Sequence, residues 1–451
     1  MKKILNYIVG TILLFTGSSC DGFLEVELDD EIIATEALSS GETLEAAVIG
    51  LYDNLQSGSL YGGDFMVAGS LLSGEAIATG FQPFYEELAE AKVPATNAYV
   101  ENTWIDFYNI VNSANNILNS IDGIDGISQE ERNQFEGTAY FMRALSFFNL
   151  LCQYGYFFDL ESPYGIPVFT EVLDRSSALN VGRSTVRETY AQIVADLEQA
   201  NALTMEGAGN GFVNKATVQA LWARVYLYQK DYANAFALAD NIIKSGSFSL
   251  EANYADLFDD SGNSDEVLFE LAFNEQDGND LARLLMVTGS NEVSVADALP
   301  ETFDEADARA ALFVRRFGVY RCTKYGEAAT AIETNVPLFR LAELYLIRAE
   351  ALAFEQGIAA ALPDLNTVKE RALAGSSISE EDVADIDAFL ALILAERRLE
   401  LAFEGQYWFD LVRLGQAEQV RDIAPYRRVL PIPTREVQIS DGLIEQNPGY
   451  E

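Results

Sequence analysis

Two consecutive stretches of the sequence carry apolar residues at helical spacing, and a very short connection joins them. Residues 214–229 begin with Asn214, a residue type favoured as a helix N-cap, and remain largely apolar through Tyr228. In residues 231–244, apolar side chains recur three and four positions apart, and Gly246 then supplies a helix stop signal. Because the connection is so short, we expect the two helices to lie antiparallel and in contact.

The same spacing predicts further helix pairs. They are 129–154 with 184–203, 338–356 with 358–374, and 383–404 with 406–415. Each pair resembles a tetratricopeptide (TPR) unit, which joins two helices over about 34 residues and buries its apolar face by stacking on its neighbours. We therefore expect an all-α fold: one superhelical body built from TPR-like helix pairs at 129–246 and 338–415, with long irregular insertions and minor β pieces.

Two long segments interrupt the helical pattern. Residues 58–100 are rich in glycine, with two prolines, and residues 247–335 contain short β-like runs such as 266–271. Aromatic residues are interleaved through the first segment and recur in the second. Long irregular segments in a compact protein are usually either functional or disordered, and aromatic content favours order. We therefore expect both segments to be ordered insertions that face a ligand.

The start of the chain resembles a bacterial export signal that ends at a cysteine. Two lysines precede an almost entirely apolar run over residues 4–16, which is too short to span a membrane, and small residues then lead to Cys20. This ending is similar to a lipobox, in which the cysteine is acylated. We expect residues 1–19 to be a lipoprotein signal peptide, Cys20 to carry a lipid anchor, and residues 20–43 to lead into the body. The alternative is an ordinary cleaved signal with an incidental cysteine.

The charge balance argues against several classes of partner and reaction. The chain has 29 lysine and arginine residues against 70 aspartate and glutamate residues, and the resulting net charge of −41 repels nucleic acid. It contains no histidine, so the usual general base and the commonest zinc ligand are missing. The acidic run 259–266 lacks the glycine that a calcium loop requires, which favours a solvated turn. We therefore expect no catalytic residue, no cofactor and no metal.

Two sets of residues with chemical potential are better explained as structural. Glu400 and Glu404 are one helical turn apart beside two arginines, whereas a glycosidase needs two carboxyl groups that flank an open cleft. A structural ion-pair network is therefore favoured. Cys152 lies in an apolar helical run, where a free thiol behaves as a small hydrophobic group, although a disulfide with Cys322 is also possible.

The C-terminal part of the chain carries the motifs that point to a family. They are PLFRLAELYLIRAEAL (337–352), ERRLELAFEGQYWFDLVRLG (396–415), LPIP (430–433) and QNPGY (446–450). These motifs resemble the SusD/RagB family of Bacteroidetes surface lipoproteins, and the similarity runs from Cys20 to Tyr450. The resemblance implies an outer-membrane, surface-exposed protein that captures a glycan and delivers it, as a lid, to a SusC-like TonB-dependent transporter. A peptide ligand, as in the RagB branch, is the alternative.

Ligand contacts are expected in the two irregular segments, because sugar rings stack on aromatic faces while polar groups bond to the hydroxyls. Trp104, Trp222 and Trp408 lie in scaffold motifs and are expected in the core instead. The candidate ligand contacts are Tyr61, Asp64, Glu75, Phe81, Phe84, Tyr85 and Asn97 in the first segment, and Arg283, Asn291, Tyr320 and Tyr325 in the second. Many relatives carry an aspartate where this chain has Glu75, so the resemblance leaves the identity of the ligand open.

Overall fold

The computed structural model describes residues 38–173, 180–207, 209–258, 264–286, 292–328 and 330–450. Helices predominate in these segments, which confirms the predicted fold class. Cys20 and the expected signal peptide lie outside the described residues, as does most of the acidic run 259–266. Within the described part of the chain, no helix combines the length and the apolar character needed to cross a membrane.

The described helices and strands are numbered in chain order. The helices are α1 (Gly41–Leu55), α2 (Asp64–Ser73), α3 (Pro83–Ala89), α4 (Ala98–Ser120), α5 (Gln129–Tyr154), α6 (Val186–Leu203), α7 (Lys215–Gln229), α8 (Tyr232–Ser245), α9 (Leu281–Leu285), α10 (Leu341–Glu355), α11 (Ile358–Ala372), α12 (Ile386–Glu400), α13 (Tyr407–Arg413), α14 (Ala417–Arg421) and α15 (Thr434–Ile439). The strands are β1 (Ala76–Ala78), β2 (Val267–Leu271), β3 (Val293–Val295), β4 (Phe313–Arg316), β5 (Val319–Cys322) and β6 (Val336–Arg340).

The predicted helix pairs form the scaffold. Helix α5 packs against α6, α7 against α8, and α10 against α11, while α8 also packs against α10 and thereby joins the pairs. Ser128, Thr185 and Asn214 cap α5, α6 and α7, each by accepting a hydrogen bond from a backbone N–H in the first turn. Helix α12 is shorter than the predicted 383–404 at both ends, since Asp385 caps its start and the helix ends at Glu400.

The first segment predicted to be irregular, 58–100, contains more helix than expected. Helices α2 and α3 lie inside it, so its assignment as wholly irregular is wrong. Nearly every residue of α2 is buried, so its sequence shows no amphipathic period from which a helix could be recognised. Gly74 ends this helix in the left-handed conformation, with φ of 81°.

Two small antiparallel sheets accompany the helices, which confirms the expected minor β pieces. One sheet has the strand order β1-β3-β5-β4, and the other pairs β2 with β6. In the first sheet Ala76 lies opposite Val295, and Ala78 lies opposite Val293. This pairing brings residues from the two predicted ligand-facing segments side by side, although they are more than 200 positions apart in the sequence.

Buried ion pairs tie the C-terminal helices to the rest of the body. Glu400 accepts hydrogen bonds from Arg309 (3.1 Å), Arg340 (2.5 Å) and Arg371, and Glu404 accepts a further bond from Arg340 (2.8 Å). Burial alone raises the pKa of Glu400, but the three guanidinium groups together hold it far below its ordinary range. These contacts confirm the predicted structural ion-pair network.

Most of the residues expected in the core are found there. Trp104 and Trp408 are buried, while Trp222 is half-buried and stacks on Tyr226 with ring centroids 5.7 Å apart. Cys152 and Cys322 are buried free thiols, so the alternative of a disulfide between them is excluded.

Candidate functional site

A cleft of about 290 Å³ lies where the two predicted ligand-facing segments meet, and we call it the aromatic cleft. It is lined by Gly58, Asp64, Gln82, Phe84, Tyr85, Asp280, Arg283, Leu284 and Glu292. Asp64, Phe84, Tyr85 and Arg283 were predicted ligand contacts, and the structure brings these four together. They come from the first turns of α2, α3 and α9.

One wall of the aromatic cleft is held by backbone hydrogen bonds between loops. The Asp64 N–H donates to Gly58 O (2.7 Å), and the Asp280 N–H donates to Gly62 O (2.7 Å). The second bond fastens the start of α9 to the loop that precedes α2. Gly62 is required in this loop because a Cβ atom there would collide with the carbonyl oxygen of Gln56.

The opposite wall is organised by the carboxylate of Glu292. Its Oε2 atom accepts hydrogen bonds from Phe81 N (3.0 Å) and Gln82 N (3.2 Å), and its backbone oxygen accepts from Thr79 N (2.9 Å). Helix α3 begins immediately afterwards at Pro83, whose fixed φ suits the first helical position. The aromatic residues of α3 are therefore positioned by strand pairing between β1 and β3.

The polar groups of the aromatic cleft form two hydrogen-bonded pairs. Tyr85 Oη donates to Asp64 Oδ1 (2.5 Å), and Arg283 Nε donates to Asp280 Oδ1 (3.0 Å). Burial raises the pKa of Asp64 to about 6; the hydrogen bond from Tyr85 opposes this shift and the charge of Asp280 adds to it. Carboxylates, a guanidinium and a phenol hydroxyl are groups that bond to the hydroxyls of a polar ligand.

Aromatic rings stand beside these polar groups. The rings of Phe84 and Tyr85 are in contact, with centroids 4.1 Å apart; Phe84 is half-buried, whereas Tyr85 is 3% exposed, so of these two rings only Phe84 offers a face to a ligand. Phe81 is 96% exposed, and its backbone bond to Glu292 places it at the edge of the cleft. Burial of a phenylalanine ring contributes about 2 kcal/mol to folding, and the exposed ring of Phe81 does not make this contribution to stability.

Two predicted aromatic contacts belong to the core, and their assignment is corrected. Tyr61 is 4% exposed and accepts a hydrogen bond from Asn149 Nδ2 (2.9 Å). Tyr325 is 1% exposed and donates to Phe403 O (2.8 Å). Neither ring has a free face on which a ligand can stack.

Two predicted polar contacts are also structural. Glu75 is buried and accepts a hydrogen bond from Arg398 Nε (3.2 Å), and burial raises its pKa to about 7. Asn97 is buried and caps α4, with its Oδ1 accepting from Tyr99 N (2.9 Å). Both side chains point into the body, so they are corrected from ligand contacts to structural residues.

The remaining candidates lie elsewhere. Tyr320 is on β5, half-buried, with the Arg315 guanidinium 5.5 Å from its ring centroid, and it does not line the aromatic cleft. Asn291 lies outside the described residues. Within the described segments, no group of three or more acidic or cysteine side chains is arranged to hold a metal ion.

Two charged residues of the aromatic cleft were missed by sequence reasoning. Asp280 carries a recognisable signal, since it stands three positions before Arg283 at the start of a short helix, the spacing of an intrahelical ion pair. Glu292 carries none. Its role depends on pairing between β1 and β3, which no local pattern in the sequence reveals.

Comparison with family models assigns both halves of the chain. A model described as "Starch-binding associating with outer membrane" matches residues 22–227, and the SusD family model matches residues 198–428. The second match alone spans more than half of the 451 residues.

Individual proteins are similar over nearly the whole chain. SusD-like protein P25 of Formosa agariphila is 26% identical and covers 99% of this chain and 100% of its own. A SusD superfamily protein from Bacteroides vulgatus superposes with a TM-score of 0.82 at 28% identity, covering 92% of this chain and 100% of its own. Surface glycan-binding protein A from Bacteroides thetaiotaomicron, solved with laminarihexaose, shares the fold with a TM-score of 0.76 at 20% identity, covering 91% and 100%.

Proposed function

Because the chain belongs to the SusD/RagB family, we propose that it is a non-catalytic glycan-binding protein that captures an oligosaccharide in the aromatic cleft. The observation that carries this proposal is the exposed ring of Phe81 beside a cleft that combines Phe84, Asp64 and Arg283. Two of the comparisons support the ligand class. One matching family model is described as starch-binding, and one protein of the same fold was solved with laminarihexaose.

The chemistry of the cleft suits a neutral sugar. The C–H face of a pyranose packs against Phe81 or Phe84, while the ring hydroxyls bond to Arg283, Gln82 and the nearby carboxylates. The net charge of −41 disfavours a polyanionic glycan. The open cleft, with few fully desolvated contacts, predicts modest affinity, which allows the cargo to be released.

Calorimetry on the purified protein tests this proposal with laminarihexaose and maltohexaose as probes. Phe81→Ala should weaken binding about fivefold, because stacking of one aromatic ring contributes on the order of 1 kcal/mol. Phe317→Ala is the matched control, since Phe317 is 85% exposed in the turn between β4 and β5 and does not line the cleft. Wild-type affinity in both Phe81→Ala and Arg283→Ala would refute the assignment of the cleft. Binding of peptides in place of oligosaccharides would reassign the cargo to a RagB-type peptide ligand.

The same proposal covers the cellular setting. Lipid chains on Cys20 anchor the protein to the outer membrane after removal of residues 1–19, and the body acts at the cell surface as a lid over a SusC-like TonB-dependent transporter. Cys20→Ser should release the protein from the membrane fraction, whereas Cys152→Ser should not. Co-purification with an outer-membrane transporter tests the partner. A protein that stays membrane-bound as Cys20→Ser, or purifies without a transporter, would contradict this part.

A further inference from the structure

A second and larger cleft, of about 800 Å³, lies among the helix pairs, and we call it the amide groove. It is formed by the end of α6, the start of α7, the end of α8 and the start of β2. Its volume lies within the range of small-molecule sites. It shares no lining residue with the aromatic cleft.

Three amide side chains form a hydrogen-bonded row along the amide groove. Asn241 Nδ2 donates to Gln219 Oε1 (2.9 Å), and Gln219 Nε2 donates to Asn201 Oδ1 (3.0 Å). The row crosses α8, α7 and α6 in turn, so each amide is held by its neighbour. An amide has two donor hydrogens and one acceptor oxygen, so Asn241 Oδ1 remains to accept and Asn201 Nδ2 remains to donate. Among the described residues, neither of these two atoms has a protein partner.

An aromatic ring and a carboxylate complete the lining. Phe248 is half-buried and lines the groove, as do the buried side chains of Ile242 and Leu268. The side chain of Asp265 forms no ion pair or hydrogen bond within the described part of the chain. The groove therefore presents oriented donors and acceptors next to an apolar face, the combination that recognises both the hydroxyls and the C–H groups of a sugar.

The charges of the amide groove favour a neutral ligand. Lys215 is its one lining cation among the described residues, and it faces Glu206 at 3.5 Å. Asp265 adds a further negative charge. The negative charge of the groove would repel an acidic sugar or a phosphate, and Lys215, already paired with Glu206, is the one lining cation among the described residues that could bind such a ligand.

We propose that the amide groove is a second binding site for a short neutral oligosaccharide. The proposal rests on the proposed function only for the class of ligand, since its residues are separate from those of the aromatic cleft. Two sites on one chain can hold two points of the same polysaccharide. Such a polymer is retained more tightly than either site alone would hold it.

Calorimetry with laminarihexaose and maltohexaose tests the amide groove on the full protein. The wild type should show two binding events. Asn241→Ala and Asn201→Ala each remove one end of the amide row and should weaken one event about threefold to tenfold, as expected for one lost hydrogen bond. Asn133→Ala is the matched control, because Asn133 accepts a bond from Gln129 (2.8 Å) on α5, outside the groove.

The two sites are distinguished by combining variants. If Phe81→Ala weakens one event and Asn241→Ala the other, both sites are supported. Wild-type behaviour of both Asn241→Ala and Asn201→Ala overturns the amide groove and leaves the aromatic cleft standing. Loss of an event in Asn241→Ala with no effect of either Phe81→Ala or Arg283→Ala supports the groove and contradicts the aromatic cleft. Capture of peptides but not oligosaccharides by the groove would also overturn the proposal.

Discussion

Replacement of Arg340 by methionine should destabilise the fold by about 4 kcal/mol. Arg340 is 2% exposed and donates to the carboxylates of Glu266, Glu400 and Glu404 and to the backbone oxygen of Glu400. Breaking a buried ion pair costs about 3–5 kcal/mol, because it leaves uncompensated charge in the interior. Methionine fills a similar volume, so the loss is electrostatic and not a cavity effect.

A destabilisation in the middle of the range of about 3–5 kcal/mol is expected, because each of the three carboxylates keeps another cation. Glu266 retains Arg371 (2.8 Å), Glu400 retains Arg371 and Arg309, and Glu404 retains a lysine at 2.7 Å. The Glu400 carbonyl also loses its bond from Arg340 but keeps the one from Tyr254 Oη (2.5 Å), so this loss adds about 1 kcal/mol. The remaining cations lower the cost of the substitution and the lost donor raises it, so about 4 kcal/mol is expected.

Urea denaturation followed by circular dichroism measures this change, provided that the m-value is unaltered. Arg187→Met is the control, since Arg187 and Glu161 are 62% and 81% exposed and such pairs contribute about 0–1 kcal/mol. Attraction to buried cations holds the pKa values of Glu400 and Glu404 below their ordinary values in the folded state, despite burial. The ionised carboxylates therefore stabilise the fold above pH 4.5, and this stabilisation is lost as the pH falls. Arg340→Met should flatten that acid dependence. A cost below 1 kcal/mol would refute the reasoning.

Further variants test individual parts of the account. Folding raises the pKa of Asp64 from 3.8 to about 6, chiefly by burial. The protonated carboxyl therefore contributes stability at low pH, and that stability is lost as the pH rises through 6. Asp64→Asn should accordingly gain stability over wild type between pH 4 and 7 in thermal melts. Gly74→Ala should cost about 1–2 kcal/mol by denaturation, since Gly74 has φ of 81° and a Cβ atom there would collide with Arg421. Ser128→Ala should cost about 1 kcal/mol by loss of the α5 cap, and an unchanged midpoint would contradict that role.

The helical scaffold could be predicted from the sequence because its determinants are local. Asn214 and Ser128 cap helices whose apolar faces recur at helical spacing, and the pairing of α7 with α8 follows from a connection too short for any other arrangement. Helix α2 could not be predicted in this way. It is buried on nearly all sides, so the pattern that distinguishes one helical face from another is absent.

The candidate site was only partly predictable for a related physical reason. Phe84 and Arg283 lie in the aromatic cleft, as expected for exposed aromatic and charged residues in a loop-rich segment. Tyr61 and Tyr325 have the same residue types in the same segments, and only three-dimensional packing shows that their rings are buried. Glu292 enters the cleft through strand pairing across more than 200 positions, which a single sequence does not disclose.

The central claim is that the aromatic cleft holds a glycan, and a crystal structure of the protein with an oligosaccharide identified by calorimetry tests it most directly. The account predicts a sugar ring packed on Phe81 or Phe84, with hydroxyls within hydrogen-bond distance of Arg283 and the neighbouring carboxylates. An oligosaccharide bound only at a different place on the protein, with the aromatic cleft free of sugar at saturating ligand, would contradict the claim.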